Sequence, residues 1–238
     1  IAGFTGMLEA RREIISRMMD RIVHRGPDMS GDYLGDGITL GFRRLSIIDL
    51  SEAGRQPMTS EDGRYTVIFN GEIYNYREIK AQLAFRGHTF HSESDTEVLL
   101  HAYMEYGRGM LDHLRGMFSF AVWDDAEHSL FCARDYFGIK PFYYYPMPDG
   151  GLIFGSEIKS FLEHPDFDKR LNPRSLRPYL TFQYSSEDET FFEGVYKLPP
   201  AHWLLWKDGK LETGRYWETD FVPDRTKSLD EWIELVDG

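Results

Sequence analysis

Apolar residues recur at helical spacing in several parts of the chain and predict amphipathic helices there. The first set lies near the start of the chain, with arginines between its members, and the Gly26-Pro27 pair ends this helix. A second helix is predicted to start after Asn75. A third is predicted to start after Ser94, which stands three residues before Glu97 in a capping-box pattern.

Runs of β-branched and aromatic residues, with Gly and Asp at the turns between them, predict many strands. The predicted strands are residues 1–4, 65–69, 117–123, 129–133, 141–145, 152–154, 201–206 and 215–217. Two further helices are predicted at residues 157–164 and from Asn172 onward. The chain therefore mixes helices with numerous strands, and it contains no internal repeat.

After residue 217 the pattern changes. Residues 218–228 are typical of a linker, and apolar residues then recur at helical spacing until the sequence stops, at Leu229, Trp232, Ile233 and Val236. A helix with this apolar face has no remaining segment to pack on. We therefore expect one domain at residues 1–217, and a linker with the first helix of a further C-terminal domain at residues 218–238.

The composition excludes several classes of protein. The 238 residues carry a formal net charge of −12, and such an acidic surface repels phosphate backbones and anionic lipids. Neither nucleic-acid binding nor membrane-surface binding is therefore expected. The hydrophobic content of 42% is too high for a disordered chain, and no apolar run approaches the roughly 18–20 residues that span a bilayer. A single cysteine and no visible signal peptide favour a cytoplasmic location.

The dipeptide Asn70-Gly71, which follows the predicted strand at residues 65–69, has two interpretations. Asn-Gly after a strand commonly forms the type I′ turn of a hairpin. The residues that follow, however, start a helix rather than a return strand. A corner between strand and helix presents the Asn side-chain amide beside the Gly backbone N–H, and these are the two donors that an oxyanion hole needs.

Two charged residues are further candidates for a binding site. Arg44 is either a solvated arginine on a strand or a guanidinium that binds a carboxylate through two parallel hydrogen bonds. Asp95 suits the positive end of the predicted helix dipole, and it equally suits a pairing with an ammonium group.

Other residues with reactive or metal-binding side chains favour a structural role. His88, His91 and Glu93 have loose metal-like spacing but are expected in a solvated loop, so no metal site is predicted. Cys132 lies in an apolar strand and is expected to be a buried structural thiol. The sequence has no glycine-rich phosphate-binding motif and no obvious nucleophile beside a base.

An ordered series of motifs carries a family resemblance. The motifs are Ile1-Ala2-Gly3-Phe4, His24-Arg25-Gly26-Pro27-Asp28, Ser30-Gly31, Arg44-Leu45-Ser46-Ile47-Ile48-Asp49, Asn70-Gly71-Glu72-Ile73-Tyr74-Asn75-Tyr76, Ser94-Asp95-Thr96-Glu97, Arg115-Gly116-Met117-Phe118, Arg134-Asp135, Gly138-Ile139-Lys140-Pro141 and Gly155-Ser156-Glu157. Together they resemble the glutaminase domain of glutamine-hydrolysing asparagine synthetases, a class II glutamine amidotransferase, over residues 1–217. The resemblance implies an α+β fold, the four-layer αββα sandwich of the N-terminal nucleophile hydrolases.

The resemblance also implies a pocket for L-glutamine. The implied substrate-binding residues are Arg44, Leu45, Ser46, Ile47, Ile48, Asn70, Gly71, Glu72 and Asp95, with the backbone of the segment from Leu45 to Ile48 as lining. Asn70 and the Gly71 N–H are the implied oxyanion donors. Arg44 would bind the α-carboxylate of glutamine, and Asp95 and Glu72 would bind its α-amino group.

The family's nucleophile is a cysteine that is the mature first residue and precedes a small residue and the Ile-Ala-Gly-Phe strand. The present sequence begins at Ile1. A thiol pKa of about 8.5 and an α-amino pKa of about 7.7–8.0 let the terminal amine activate its own thiol at neutral pH. Cys132 has no α-amino group of its own, so we expect a polypeptide that begins at Ile1 to be inactive alone.

In such enzymes the ammonia passes to an ATP-dependent synthetase domain, which uses Mg²⁺ and amidates aspartate, while the glutaminase domain needs no cofactor. The synthetase domain's S-G-G-x-D-S loop is absent from this sequence. The expected partners are L-glutamine, the chain's own C-terminal synthetase domain and, as an option, a second copy in a homodimer. Two alternatives stay open: a nucleophile-less scaffold domain, and the amidotransferase half of an enzyme that amidates a different acceptor.

Overall fold

The computed structural model describes residues 1–45, 54–183, 188–223 and 225–237. Within these ranges the strands are β1 (Ala2–Thr5), β2 (Met29–Gly35), β3 (Ile38–Arg44), β4 (Met58–Thr59), β5 (Tyr65–Ile73), β6 (Gly116–Asp124), β7 (Ser129–Arg134), β8 (Tyr143–Pro146), β9 (Leu152–Gly155), β10 (Tyr196–Lys197), β11 (His202–Lys207) and β12 (Lys210–Arg215). The helices are α1 (Arg11–Asp20), α2 (Tyr76–Phe85), α3 (Asp95–Tyr106), α4 (Pro173–Phe182) and α5 (Leu229–Asp237). Short 3₁₀ helices cover Val23–Arg25, Gly107–Asp112 and Ile158–Glu163.

The strands form two antiparallel six-stranded sheets. The first sheet has the order β10-β8-β9-β1-β3-β2, so the strand that opens the chain lies near its centre. The second sheet has the order β12-β11-β7-β6-β5-β4, in which β5 and β6 pair along nine residues. Asn70 and Gly71 therefore lie inside a long ladder, with paired residues before and after them in the chain.

Three hydrophobic clusters separate four layers. Between the sheets, Ile38 and Leu40 of the first sheet pack in one cluster with Ile68 and Trp123 of the second. The other face of the first sheet packs against α1, and the other face of the second packs against α2 and α3. Successive side chains of a strand point to opposite faces, and in both sheets the side chains on each face are apolar. Each sheet is therefore covered on both faces, by the other sheet and by helices. This α+β, αββα sandwich is the predicted fold class.

The predicted helices are confirmed in position, with differences at their ends. The first helix ends at Asp20, and the buried Ile22 follows it. The segment predicted as a helix at residues 157–164 forms the 3₁₀ helix Ile158–Glu163. The last helix, α5, follows the predicted spacing, and its apolar side chains are exposed. The division into domains at residue 217 stays a prediction.

The start of α3 differs from the expected capping box. Ser94 is the N-cap, and its hydroxyl accepts a hydrogen bond from the Thr96 N–H (3.2 Å). The Glu97 carboxylate instead accepts the N–H groups of His91 and Ser92, each at 2.8 Å. Glu97 therefore holds the incoming loop against the helix, and it does not return to the N-cap.

The hairpin interpretation of Asn70-Gly71 is wrong. Strand β5 continues through both residues to Ile73, with Asn70 paired to Ser119 and Gly71 to Phe118. The nine consecutive residue pairs between β5 and β6 outweigh the local preference of Asn-Gly for a turn. The corner between strand and helix predicted at Asn70-Gly71 is wrong as well, because the chain leaves β5 only after Ile73 and α2 starts at Tyr76.

In the part of the chain that the structure describes, no helix combines the length and the apolar character needed to cross a membrane.

Candidate active site

A pocket of about 390 Å³ lies where the end of β3, the end of β5 and the start of α3 meet. The predicted site residues that line it are Arg44, Leu45, Asn70, Gly71, Glu72 and Asp95. The predicted residues Ser46, Ile47 and Ile48 lie outside the described residues. The structure therefore brings every described member of the predicted set into one pocket.

One edge of β5 faces this pocket. The Ser60 N–H donates to the Tyr65 carbonyl across this edge (2.8 Å). Because the N–H groups of a strand alternate between its two edges, Phe69, Gly71 and Ile73 direct their N–H groups to the same side as Tyr65. Strand β4 is only two residues long and covers none of these three.

Side chains complete this edge beyond the end of β4. The Gln56 Oε1 accepts a hydrogen bond from the Phe69 N–H (2.6 Å), and the Asp95 Oδ2 accepts one from the Ile73 N–H (3.0 Å). The Gly71 N–H lies between these two pairs, at a residue that lines the pocket. It is therefore placed to donate to a bound ligand.

The Asn70 side chain supplies a second donor. Its Nδ2 is buried and has no hydrogen-bond partner among the described residues. Ser119 pairs with Asn70 from β6, and its buried hydroxyl also has no hydrogen-bond partner among the described residues. A buried donor without a partner costs about 1–3 kcal/mol, which a ligand oxygen would offset. Asn70 Nδ2 and the Gly71 N–H thus form a donor pair of the kind that stabilises an oxyanion.

Crowding against β6 explains the glycine at position 71. A Cβ there would collide with the Met117 carbonyl oxygen and would lie 2.7 Å from the Phe118 Cα. Both are backbone atoms of a paired strand, so neither can move aside without disturbing the ladder. A side chain at this position would displace the Gly71 N–H from the pocket.

Asp95 is the buried carboxylate of the site. Burial raises the pKa of Asp95 to about 6; the hydrogen bond from the Ile73 N–H opposes this shift, and the nearby Glu72 adds to it. Its position in the first turn of α3 places it at the positive end of the helix dipole. A ligand cation beside Asp95 and Glu72 would offset the cost of keeping both ionised.

Arg44 supplies the opposite charge. It is the last residue of β3 and is buried, and its Nη1 lies 3.4 Å from the Met29 sulfur. The neighbouring Leu45 is exposed but still lines the pocket. A guanidinium, two carboxylates and two N–H donors in one cavity suit a zwitterion that carries a further carbonyl group.

Several pocket residues were not predicted. Gln56 and Thr96 line the wall beside β5, and no local pattern in the sequence marks them as a pair. His24 and Arg25 line the mouth, where both contact Glu157, at 2.8 and 3.1 Å. Burial opposes ionisation of Glu157, but its hydrogen bonds to Lys159, His24 and Arg25 outweigh that effect and lower the pKa of Glu157 to about 2. The motif at residues 24–28 was the available signal for this rim.

The expectation of a solvated loop at His88, His91 and Glu93 is only partly right. His91 and Glu93 are exposed, at 63% and 82% of their side-chain surface, but the His88 side chain is 85% buried, being only 15% exposed. Its Nδ1 lies 2.9 Å from the Nδ1 of His101, a partner that local spacing does not suggest. Among the described residues, no group of three or more His, Cys, Asp or Glu side chains is arranged to hold a metal ion.

The Cys132 thiol and the Ile1 amino group bear on the expected cysteine nucleophile, and both are buried. Cys132 is buried between the sheets, as predicted, and burial raises the pKa of its thiol. The Ile1 nitrogen is also buried and lies 3.1 Å from the Ser156 hydroxyl. Burial, and then the charge of Arg25, lower the pKa of the Ile1 amino group to about 5. This environment suits a neutral nitrogen.

Known proteins resemble this chain over most of its length. A family profile described as a glutamine amidotransferase domain matches residues 1–217. The chain is 38% identical to the glutamine-hydrolyzing asparagine synthetase 3 of Bacillus subtilis (strain 168), over 99% of this chain and 39% of that protein. It is also 38% identical to the amidase chry2 of Gibberella zeae, over 95% of this chain and 33% of that protein. The chain thus spans between a third and two fifths of the length of these relatives.

Among solved structures, the glutamine phosphoribosylpyrophosphate amidotransferase of B. subtilis superposes with a TM-score of 0.69. The match covers 92% of this chain and 49% of that chain, at 18% sequence identity. At this identity the likeness concerns the fold, and it confirms the predicted sandwich of the N-terminal nucleophile hydrolases.

The raised pKa of Asp95 gives a direct test of the electrostatics of the pocket. A pH titration followed by carboxyl ¹³C NMR should give Asp95 a pKa of about 6. Glu72→Gln should lower that value, because it removes a neighbouring negative charge and keeps the shape of the side chain. The matched control is Glu78→Gln, which makes the same change on the exposed surface of α2 and should leave the Asp95 titration unchanged. An Asp95 pKa near 4 in the unsubstituted protein would contradict the claim that desolvation outweighs the hydrogen bonds to this carboxylate.

Proposed function

The chain belongs to the glutamine amidotransferase domain family, and from this premise we propose that it hydrolyses L-glutamine to glutamate and ammonia as one part of a larger enzyme. The observation that carries the proposal is the placement of the Asn70 amide and the Gly71 N–H in one pocket with Arg44, Glu72 and Asp95. Two donors for a developing oxyanion thus share a cavity with charges of both signs.

Free glutamine matches this distribution of charge. Its α-carboxylate would pair with the Arg44 guanidinium, and its α-ammonium group with Asp95 and Glu72. The side-chain carbonyl would then lie toward Asn70 Nδ2 and the Gly71 N–H. The backbone of residues 45–48 is proposed as further lining. The raised pKa of Asp95 fits this assignment, because an ammonium group would stabilise the ionised carboxylate.

The proposed nucleophile is a cysteine two residues before Ile1 in the natural protein, as in the family. In the β1–β3 ladder Ala2 pairs with Gly41 and Gly3 with Leu40. Extension of this register past Ile1 would set a residue two positions upstream opposite Arg44, at the pocket.

The proposed reaction has two halves. The free α-amine of the terminal cysteine takes the thiol proton, and the thiolate attacks the side-chain carbonyl carbon of glutamine. The oxyanion accepts hydrogen bonds from Asn70 and Gly71, ammonia leaves with the transferred proton, and a γ-glutamyl thioester remains. Water then attacks the thioester through the same oxyanion geometry and releases glutamate and the free thiol.

The fate of the ammonia lies beyond this domain. We propose that it is used by a C-terminal synthetase domain that consumes ATP with Mg²⁺ and amidates aspartate, because several relatives are named asparagine synthetases. Another relative is named an amidase, so an enzyme that amidates a different acceptor is the second candidate. A scaffold domain without a nucleophile is the third, and the charged pocket residues argue against it. A cytoplasmic location and a homodimer stay predictions.

Removal of the Asn70 donor should reduce turnover. In the full-length protein, Asn70→Ala should lower glutaminase kcat by roughly a hundredfold or more, as for other oxyanion donors. Asn70→Asp should be similarly impaired, because it keeps the shape but replaces the N–H₂ group with an acceptor. An unchanged kcat in both variants would show that Asn70 is not an oxyanion donor.

Removal of the Arg44 guanidinium should weaken substrate binding. Arg44→Ala should raise the KM for glutamine steeply, while synthesis from added ammonia by the full-length protein stays intact. The matched control is Arg12→Ala, which removes an exposed arginine paired with Asp32 and should leave KM unchanged. Loss of both activities in Arg44→Ala would indicate misfolding.

The terminal nucleophile is testable by mass. A protein with a cysteine and a small residue before Ile1 should hydrolyse glutamine and gain a single adduct from a thiol-alkylating glutamine analogue, located at its first residue by peptide mapping. A polypeptide that begins at Ile1 should show neither turnover nor adduct, because Cys132 is buried. Measurable turnover from that shorter polypeptide would contradict the terminal-cysteine mechanism.

A further inference from the structure

The side chain of Gln56 replaces a missing rung of the second sheet. Its Oε1 accepts the Phe69 N–H (2.6 Å), and its Nε2 donates to the Phe69 carbonyl (3.2 Å). These are the two hydrogen bonds that an opposing backbone residue would make in an antiparallel ladder. The primary amide of glutamine carries the same donor and acceptor as a peptide unit, so it can make both.

The register of the sheet accounts for this substitution. Met58 of β4 pairs with Val67, and the same register two residues further along would set Gln56 opposite Phe69. The strand starts only at Met58, after Pro57, so the backbone of Gln56 is not part of it. The side chain of Gln56 therefore continues the ladder past the point at which the backbone leaves it.

Gln56 is fixed by contacts with three layers of the sandwich. Its backbone carbonyl packs directly on Gly31 of β2, in the first sheet, where a Cβ would collide with it. Its Nε2 also donates to the Thr96 hydroxyl at the start of α3 (3.0 Å). The residue is buried, with 6% of its surface exposed, so its amide is held in one orientation.

This arrangement bears on the donor at Gly71. Along the pocket edge of β5, Gln56 holds the Phe69 peptide on one side of Gly71 and Asp95 holds the Ile73 N–H on the other. We propose that Gln56 is a positioning residue that sets the direction of the Gly71 N–H and couples it to the first turn of α3. The inference rests on the proposed function, because it assigns Gln56 a role in stabilising the oxyanion of that reaction.

Three substitutions test the role in the full-length protein. Gln56→Met keeps the length of the side chain but removes its hydrogen bonds, and it should lower glutaminase kcat by about 10- to 100-fold, the usual effect of misplaced catalytic geometry. The KM for glutamine should change far less, since Arg44 and the carboxylates remain. Gln82→Met makes the same change on the exposed surface of α2 and should leave both parameters unchanged.

Gln56→Glu separates positioning from packing. The ionised carboxylate still accepts the Phe69 N–H but repels the Phe69 carbonyl, whereas the protonated acid donates to it as glutamine does. The ratio of kcat in Gln56→Glu to that of the unsubstituted protein should therefore rise as the pH falls from 8 to 6, and this rise should be reversible. The corresponding ratio for Gln56→Met should stay flat.

Structural readouts accompany the kinetics. Circular dichroism at each pH should show a folded protein, and NMR should show faster amide exchange at Phe69 in Gln56→Met than in the unsubstituted protein. Folded Gln56→Met and Gln56→Glu proteins with the kcat of the unsubstituted protein and a flat pH ratio would overturn the positioning role. A full-length unsubstituted protein without glutaminase activity would instead overturn the proposed function, and this inference with it.

Discussion

The buried pocket edge of β5 imposes the constraint on which the site depends. A backbone N–H removed from water needs a hydrogen-bond partner, because a buried donor without one costs about 1–3 kcal/mol of stability. Along this edge the partners are side chains, Gln56 for Phe69 and Asp95 for Ile73. The Gly71 N–H, between them, is directed toward the cavity. The proposed donor to the ligand is thus a backbone N–H that itself needs a hydrogen-bond partner.

The layered architecture delivers the charged groups to that edge. Arg44 comes from the first sheet, Asn70 to Glu72 from the second, and Asp95 from the helix that covers the second sheet. The apolar cluster between the sheets fixes the separation of the two strands that carry these residues. Small changes in sheet packing would therefore alter the distance between the guanidinium and the oxyanion donors, although no pocket residue had changed.

The sequence predicted the helices well, because helical periodicity is a local property, as α1 and α3 show. It predicted the pocket residues through ordered motifs that resemble a known family, since spacing alone left Arg44 and Asp95 with structural interpretations. It failed where the decisive partner lies far along the chain. Asn70-Gly71 stays in a strand because of β6, more than 40 residues later. Gln56 and the His88–His101 pair also give no local signal, because their partners belong to other elements of the fold.

The brevity of β4 has a consequence for how such a site tolerates insertions and deletions. The strand has two residues, and its backbone leaves the sheet at Pro57. A lengthened β4 that ran on in register past Phe69 would pair the Gly71 N–H with a backbone carbonyl and would silence the donor while the fold grew more regular. Loop-length variation before Met58 is thus a route to inactivation that leaves Arg44, Asn70 and Asp95 unchanged, and a comparison of those residues alone would miss it.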